Sequence, residues 1–493
     1  MKLLVGTVFT EVEGDFLEVG LIQSVLTMTD QEGNEKELFR DNRFYSGLLN
    51  RVLNILKFKN YEVEVEYTYD KFVFDPAEMD FTDDIVPGMT LRPYQWQSCI
   101  KFLLNSRGVV SVSTGGGKTN MAVALAYYLY KKWGIRTIFV NDTDLGMNQA
   151  HERFTKFGLE CGRFGGGYKE LDSPFTSVIS DSMLNGIRRR DEDVLAWVKD
   201  CNFLVIDECH HLSSNGYLTL ASNCPAQFRC GLSASAFEHP TERCYEDLLI
   251  VGQLGEIVCH ISPRWLIDHK YLAEPLIFWI NVPRFNVPSY DWHKVYSNGV
   301  VNAVWRNHAT VAIARHMASL NFKILILVQR IEHGEILLKM LQDPSVVFSS
   351  GGGVTRRWDE IENKIVETVQ PNEVTRCEFD SVDGISRILI ATTIYDECAD
   401  LQSMNTLIMT GGGRKWRRTL QRVGRPLHSR DDFVYIFDFV DNQHPFLLKH
   451  SKQRQEVYNS LQYQTFSSLN DLNLRISSPL VLESAMLGSS FNA

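Results

Sequence analysis

Three short stretches bring together residue types that can do chemistry. The first is Ser113-Thr114-Gly115-Gly116-Gly117-Lys118-Thr119. Glycines let a backbone curl until its N–H groups point at phosphate oxygens. Lys118 would then reach the β- and γ-phosphates of a nucleotide, and the Thr119 hydroxyl would ligate Mg²⁺. The second is Asp207-Glu208-Cys209-His210-His211. Two adjacent carboxylates suit a divided task, with Asp207 holding Mg²⁺ through water and Glu208 orienting and deprotonating an attacking water. The third is Gln421-Arg422-Val423-Gly424-Arg425. A nucleotide held by one lobe needs positive charge from another, and Arg425, with Arg422, would supply it as arginine fingers.

These residues need elements to hold them. Gly108 to Val112 is a short β-branched run, the mark of a buried strand, and Asn120 to Tyr130 reads as a helix. Strand, glycine-rich turn, Lys-Thr and helix form the context that a phosphate-binding loop requires. The positive end of the helix favours the anion. The strict GxxxxGK[ST] spacing is not met, because Val112 stands where its first glycine would be. Phe203 to Ile206 is another buried strand, and it delivers Asp207 and Glu208 to the carboxyl edge of a sheet, beside the loop. Upstream, Leu91-Arg92-Pro93-Tyr94-Gln95 precedes a helix through Leu104. Arg92 and Gln95 there can bond the edge of an adenine base.

The chain has 493 residues, of which 44% are apolar, enough for about three domains with cores of their own. The net charge of −10 argues against a protein that coats nucleic acid with its whole surface, but not against a groove lined by a basic track. The ten cysteines are scattered without zinc spacing, as in a reduced compartment. No apolar run is long enough to span a bilayer, and the first residues read as a strand rather than a signal peptide, so a cytoplasmic, intracellular protein is expected. Residues 1–85 read as a small α+β domain. Leu3–Phe9 and Phe16–Val19 have strand character there, Phe44–Phe58 has helical spacing, and Tyr61–Tyr67 alternates like a strand with one wet face. Asp75–Gly88 reads as a linker. Residues 86–270 then form one parallel α/β lobe and 271–445 repeat the βα alternation as a second, followed by a terminal helix and tail over 446–493. Pro283–Ser297 is irregular, and Arg414-Lys415-Trp416-Arg417-Arg418 mixes charge with an aromatic, as a DNA contact or a solvated helix face would.

RPYQ, TGGGKT, DECHH, GLSAS (Gly231–Ser235), ATTIY (Ala391–Tyr395) and QRVGR stand in the order found in superfamily 2 helicases of DExH type. The pattern most resembles the XPB-like and phage UvsW-type DNA helicases that act on branched DNA. The resemblance implies an α/β fold of two RecA-like parallel-sheet lobes, closing on ATP and Mg²⁺. It implies ATPase roles for Lys118, Thr119, Asp207, Glu208, His210, Gln421 and Arg425. It places Arg92, Gln95, Thr114, Gly115, Gly116, Gly117, Asp400 and Arg422 at the nucleotide, and it has Ser233 and Ser235 couple ATP to DNA. By position, Asn141, Gly166, Ser180, Gln329, Arg330, Thr392 and Thr393 would meet the nucleic acid. The implied activity is ATP-driven unwinding and branch migration of forks and Holliday junctions by a monomer on single- or double-stranded DNA. An RNA helicase, a restriction-type translocase subunit and a degenerate motor that only binds junctions are the alternatives. Three departures stand out: Asn141-Asp142 replaces the family's Pro-Thr, Glu397-Cys398-Ala399-Asp400 offers only Asp400 of the fifth motif's GxxD, and His428 replaces the last arginine of QxxGRxxR, so that one finger is lost or Arg422 or Arg430 substitutes.

Overall fold

A computed structural model describes residues 1–30, 33–234, 236–237, 243–285, 287–350, 353–370, 372–381, 386–392, 403–412, 433–467 and 472–473. The chain divides into two compact units, one of Met1–Ser113 and Gly117–Ile261, the other of residues from Ser262 onward with Thr114–Gly116.

Besides a two-stranded ribbon of Thr27–Thr29 and Glu35–Glu37, the first unit carries two larger sheets. The smaller runs in the order Phe39–Arg40, Arg43–Tyr45, Phe9–Glu13, Lys2–Val5, Glu64–Tyr67, antiparallel except for the last, parallel pair, where Lys2 faces Glu64. Its apolar side (Leu3, Val12, Phe44) and the Leu49–Phe58 helix (Val52, Leu56) join the same apolar core as Leu249, Ile250 and Leu254 of the Tyr245–Leu254 helix. The seam is very tight. A Cβ on Gly47 would come 2.0 Å from the Val251 carbonyl oxygen, and one on Gly252 would come 2.9 Å from Tyr45 Cβ.

Three local expectations are corrected here. Phe16–Val19 begins a helix, Phe16–Val25, not a strand. Asp15 caps it by accepting from the Leu17 and Glu18 N–H groups, and the Glu18 carboxylate returns to the Asp15 N–H, a reciprocal cap that outweighs the β-like run. Glu64–Tyr67 is exposed on both faces, because it hangs on the sheet edge with a single neighbour. The Asp75–Gly88 stretch is no loose linker, since Phe81 and Val86 within it are buried, as is Phe74 just before it. The Phe74 ring lies 4.6 Å from that of Trp133, and Trp96 Nε1 donates to the Phe81 carbonyl at 2.9 Å.

The larger sheet of this unit has the order Tyr168–Lys169, Cys161–Gly165, Phe175–Ile179, Arg136–Asn141, Cys201–Asp207, Phe228–Ser233, Arg107–Val112, Ile257–Ile261. All its strand pairs are parallel except the small Cys161–Gly165/Tyr168–Lys169 hairpin. A parallel sheet covered on both faces requires apolar strands, and Phe203–Ile206 and Val109–Val110 are fully buried.

The second unit is a nine-stranded sheet in the order Lys364–Val369, Val354–Asp359, Val347–Ser349, Ile388–Ala391, Ile324–Leu327, Thr406–Ile408, Phe433–Val440, Glu274–Asn281, Gln464–Phe466. Its centre is parallel, as the βα alternation predicts. The Val354–Asp359/Lys364–Val369 hairpin is antiparallel and was not anticipated from the sequence. The irregular 283–297 stretch holds a short helix, Trp292–Tyr296. Both large units are thus parallel α/β layers, as expected for RecA-like lobes.

Candidate active site

The phosphate loop forms where the Arg107–Val112 strand passes into the Lys118–Trp133 helix. Gly115 and Gly117 hold φ of +89° and +74°, left-handed values that L side chains resist. At Gly117 a Cβ would also come 2.3 Å from Gln95 Nε2, so a side chain there would strain the backbone and displace the Gln95 amide. Gln95 is buried, and its Oε1 accepts the Arg92 N–H at 2.9 Å, which fixes the start of the Pro93–Asn105 helix. Arg92 Nη1 donates to Tyr94 Oη at 3.3 Å. Lys118 Nζ donates to the Val112 carbonyl at 3.3 Å, holding its charge at the strand end. Thr119 follows it in the first helical turn.

The acid pair sits at the end of the Cys201–Asp207 strand, between Arg136–Asn141 and Phe228–Ser233. Glu208 has φ +45°, a left-handed conformation for a non-glycine residue that marks a held, functional backbone. Its Oε2 accepts the Ser233 hydroxyl at 3.3 Å and lies 3.3 Å from His210 Nδ1. Asp207 Oδ1 accepts the Glu208 N–H at 3.0 Å. The two carboxyls are driven apart. Burial, then the Glu208 charge, pushes Asp207 up to about 6, against the opposing pull of Lys118. Burial would also raise Glu208, but the approach of His210 and the charge of Lys118 outweigh it and bring Glu208 down to about 2. Neighbouring acids with separated affinities for a proton are the pattern of divided acid–base roles. Glu208 stands ionised between His210 and Lys118.

Beside them, His210 and His211 have ring centroids 4.2 Å apart, and His211 stacks on Tyr217 at 5.8 Å. Tyr217 Oη donates to Asp142 Oδ1 at 3.2 Å, and His211 Nε2 lies 4.0 Å from Asp142 Oδ2. Asp142, at the position where the helicases resembled have threonine, is tied into this unit by these contacts. Asn141 is buried with its amide turned inward, donating to Ser177 Oγ at 3.0 Å, so only its backbone faces the strand end. Ser180 is buried at the start of the Ser180–Arg189 helix. Gly166 has φ +56°, and a Cβ on it would come 2.1 Å from Asp144 Oδ1.

In the second unit, Gln329 Nε2 donates to the Gly412 carbonyl at 2.8 Å. Arg330 Nη2 lies 3.5 Å from His293 Nδ1, with its guanidinium 5.0 Å from the Tyr296 ring centre. Thr392 is buried, and its N–H donates to the Ser349 carbonyl at 3.3 Å. Ser235, Thr393, Asp400, Gln421, Arg422, Arg425, His428, Arg430 and the Arg414–Arg418 run lie outside the described residues.

Sequence reasoning missed the buried arginines behind both sheets. Arg229 donates from Nε to the Gln253 carbonyl at 2.7 Å, from Nη1 to the Cys224 carbonyl at 2.8 Å and from Nη2 to the Ala221 carbonyl at 2.7 Å. Arg306 pairs with Asp441 and donates from Nε to the Thr410 carbonyl at 2.9 Å. Arg454 pairs with Asp438 at 2.9 Å. Neighbouring side chains finish the job around the Thr410–Gly412 turn: Tyr296 Oη donates to the Gly411 carbonyl at 2.7 Å, and Thr310 Oγ1 donates to Thr410 Oγ1 at 3.0 Å. An isolated arginine in an apolar strand or helix gives no hint of which partner will satisfy it.

Two parallel sheets, one ending in a glycine-bent phosphate loop and an acid pair of separated acidity, define a nucleoside-triphosphate motor of RecA-like class. The comparisons are more particular. Residues 88–238 match the family described as "Type III restriction enzyme, res subunit". The chain is 25% identical over 419 residues to "DNA 3'-5' translocase XPB2" of Sulfurisphaera tokodaii, covering 80% of this chain and 90% of that protein. It is 24% identical to "Putative helicase 22" of a Sulfolobus islandicus filamentous virus (78% and 70% covered) and 20% identical to "ATP-dependent DNA helicase uvsW" of Enterobacteria phage T4 (71% and 68% covered). Among solved structures, a fragment of a putative HsdR subunit of a type I restriction enzyme from Vibrio vulnificus shares the fold with a TM-score of 0.53 at 16% identity, covering 85% of this chain and 75% of that one. These likenesses are consistent with a superfamily 2 helicase and support ATP-dependent helicase activity. No described helix is long and apolar enough to cross a membrane.

Proposed function

We propose that the protein is an ATP-dependent DNA helicase or translocase that remodels branched DNA, unwinding duplexes and driving branch migration at forks and Holliday junctions. The observation that carries the reading is the glycine-bent loop ahead of the Lys118–Trp133 helix together with the Asp207–Glu208 pair at the end of the Cys201–Asp207 strand, where Glu208 Oε2 accepts the Ser233 hydroxyl at 3.3 Å. The names of its relatives, a DNA translocase and a DNA helicase, support DNA as the track.

The residues present fit ATP and Mg²⁺. The left-handed Gly115 and Gly117 bend the backbone into a cradle, with Gln95 Nε2 set 2.3 Å from where a Gly117 Cβ would lie. Thr119 and Asp207 would hold the metal, which neutralises charge on the transferring phosphoryl group. Lys118 binds the phosphates. Glu208 orients the water and accepts its proton, and His210 holds that carboxylate in place. Gln421, Arg422 and Arg425 would complete the charge around the nucleotide from the second lobe, with Asp400 beside it. Ser233, bonded to Glu208, links the acid pair to the neighbouring strand end, so that proton transfer is felt at the edge where Asn141, Gly166 and Ser180 would face DNA. We place residues 1–85 as an accessory domain, 86–270 and 271–445 as the two lobes, and 446–493 as a terminal helix and tail. The motor acts as a monomer in the cytoplasm.

ATP hydrolysis by wild type and Glu208→Gln, measured without nucleic acid and with single-stranded DNA, a fork, a Holliday junction and RNA, tests this. Stimulation by branched DNA that disappears in the variant is the expected result. Stimulation by RNA alone transfers the activity to RNA. Tight binding with no stimulated turnover leaves a junction-binding protein.

A further inference from the structure

We propose that the second unit carries an aromatic and basic platform on which the bases of single-stranded DNA stack, built from Tyr290, Trp292, His293, Arg330, Phe446 and Lys449. This rests on the DNA reading above and names where one strand is gripped.

The topology puts three chain segments on one edge. In a parallel sheet, each segment that leaves a strand emerges at the carboxyl edge, where ligands of open α/β sheets bind. Glu274–Asn281 leads into the stretch bearing Tyr290 and Trp292, Ile324–Leu327 into Arg330, and Phe433–Val440 into the Pro445–Ser460 helix with Phe446 and Lys449. Side chains then knit the three together. His444 Nε2 lies 3.0 Å from the Ser289 carbonyl oxygen, the Trp292 ring is 4.9 Å from that of His450, and Arg330 reaches His293.

What this patch exposes is unusual for a globular surface. Tyr290 is 96% exposed, Phe446 42% and Trp292 36%. An apolar ring gains nothing from facing water, and a cluster of them marks a binding surface. The charge around them selects the partner. Lys449 and His293 are exposed and Arg330 half-buried, while Asp291 is engaged in capping the Trp292–Tyr296 helix through the His293 N–H at 2.9 Å. Rings flanked by cations suit unpaired bases with their phosphates, because every base offers a π-face while a duplex hides it. The rings read no sequence, so the grip is sequence-independent.

The test is fluorescence anisotropy of labelled oligo(dT), a blunt DNA duplex of equal length, and oligo(U), with the full chain. Stacking contributes about tenfold or more in affinity per base. Tyr290→Ala/Phe446→Ala is therefore expected to weaken oligo(dT) binding at least tenfold, with little change on the duplex. Both rings are exposed, so folding and ATP turnover without nucleic acid remain at wild-type level. Trp292→Phe is expected to retain binding and Trp292→Ala to lose it. The platform is overturned if the double variant binds oligo(dT) like wild type, or if duplex and oligo(dT) binding fall equally. It is overturned as a DNA site if wild type binds oligo(U) and not oligo(dT). Stimulation of wild-type ATPase by DNA, recorded in parallel, separates the two readings: with it intact, wild-type oligo(dT) binding by the double variant removes the platform alone.

Discussion

The two large sheets share an architecture and solve one problem in opposite ways. Each buries an arginine, Arg229 at the amino end of the Phe228–Ser233 strand and Arg454 against Asp438 near the carboxyl end of Phe433–Val440. In the first unit Arg229 meets backbone carbonyls and the Gln253 side-chain oxygen, with no carboxylate among its hydrogen-bond partners, and burial pushes its affinity for a proton down. In the second, burial opposes the charge of Arg454 too, but Asp438 and Asp441 outweigh it and push that affinity up. The first sheet carries Asp207 and Glu208 at the opposite end of its strands from Arg229, and the scaffold around Arg229 is made of dipoles. The second edge shows no acid–base pair among its described residues, and charged scaffolding there steadies the Thr410–Gly412 turn.

If chemistry belongs to the first edge and scaffolding to the second, lesions should separate cleanly. The largest effect is expected from Glu208→Gln. Removing a general base costs about 10²–10⁴ in rate, so steady-state ATP hydrolysis should fall by that factor while the urea midpoint stays put. Asp438→Ala should do the reverse in kind. It takes from Arg454 its nearest carboxylate, leaving Asp441 at 3.9 Å, and leaves Tyr458 Oη, now 2.7 Å from Asp438 Oδ2, without that acceptor. Breaking a buried pair costs about 3–5 kcal/mol, which a chemical denaturation curve will show. Arg229→Met is expected to cost less, about 1–3 kcal/mol, because neutral acceptors are orphaned rather than a charge. A larger loss than for Asp438→Ala would break the comparison.

The smallest effect concerns pH. His333 is buried in the second unit with Nε2 2.9 Å from Asn307 Oδ1, and burial, then the Arg306 charge, pushes it from 6.5 down to about 3. The unfolded chain therefore binds more protons between those values. Its contribution is whole above pH 6.5 and is lost as pH falls toward 3, at up to about 1.4 kcal/mol per unit. Stability of wild type and His333→Gln measured at pH 7.5 and 5.5 checks this: the slope should flatten in the variant.

Much of this was legible in the chain. The β-branched run before three glycines and a Lys-Thr leaves few alternatives to a phosphate loop, and an apolar strand followed by two acids specifies where the acids land. Lys118, Asp207 and Glu208 gather in one unit as those patterns imply. What was hidden depends on partners distant in sequence. Nothing in RPYQ tells that Gln95 turns onto Gly117, nor in Asn141 that its amide points inward to Ser177. The Phe16–Val19 error came from weighing apolar alternation above an Asp-x-x-Glu cap. The edge hairpin at 354–369 was missed because its outer strand is largely wet and lacks the apolar run that marks a central strand.

The glycine seam between the small sheet and the Tyr245–Leu254 helix has a consequence for how the molecule comes apart. With the Gly47 backbone set against the Val251 carbonyl and the Tyr45 side chain set against Gly252, the seam has no soft layer to slide on, so the first 85 residues and the lobe behind them open together or not at all. Amide exchange in Leu3–Val5 should then track that in Phe203–Ile206, and a protease that nicks the Asp75–Gly88 strap will leave the two pieces clasped, to part only in denaturant. Evolution has the same constraint: this front piece cannot be traded for another without recasting Gly47 and Gly252 as a pair.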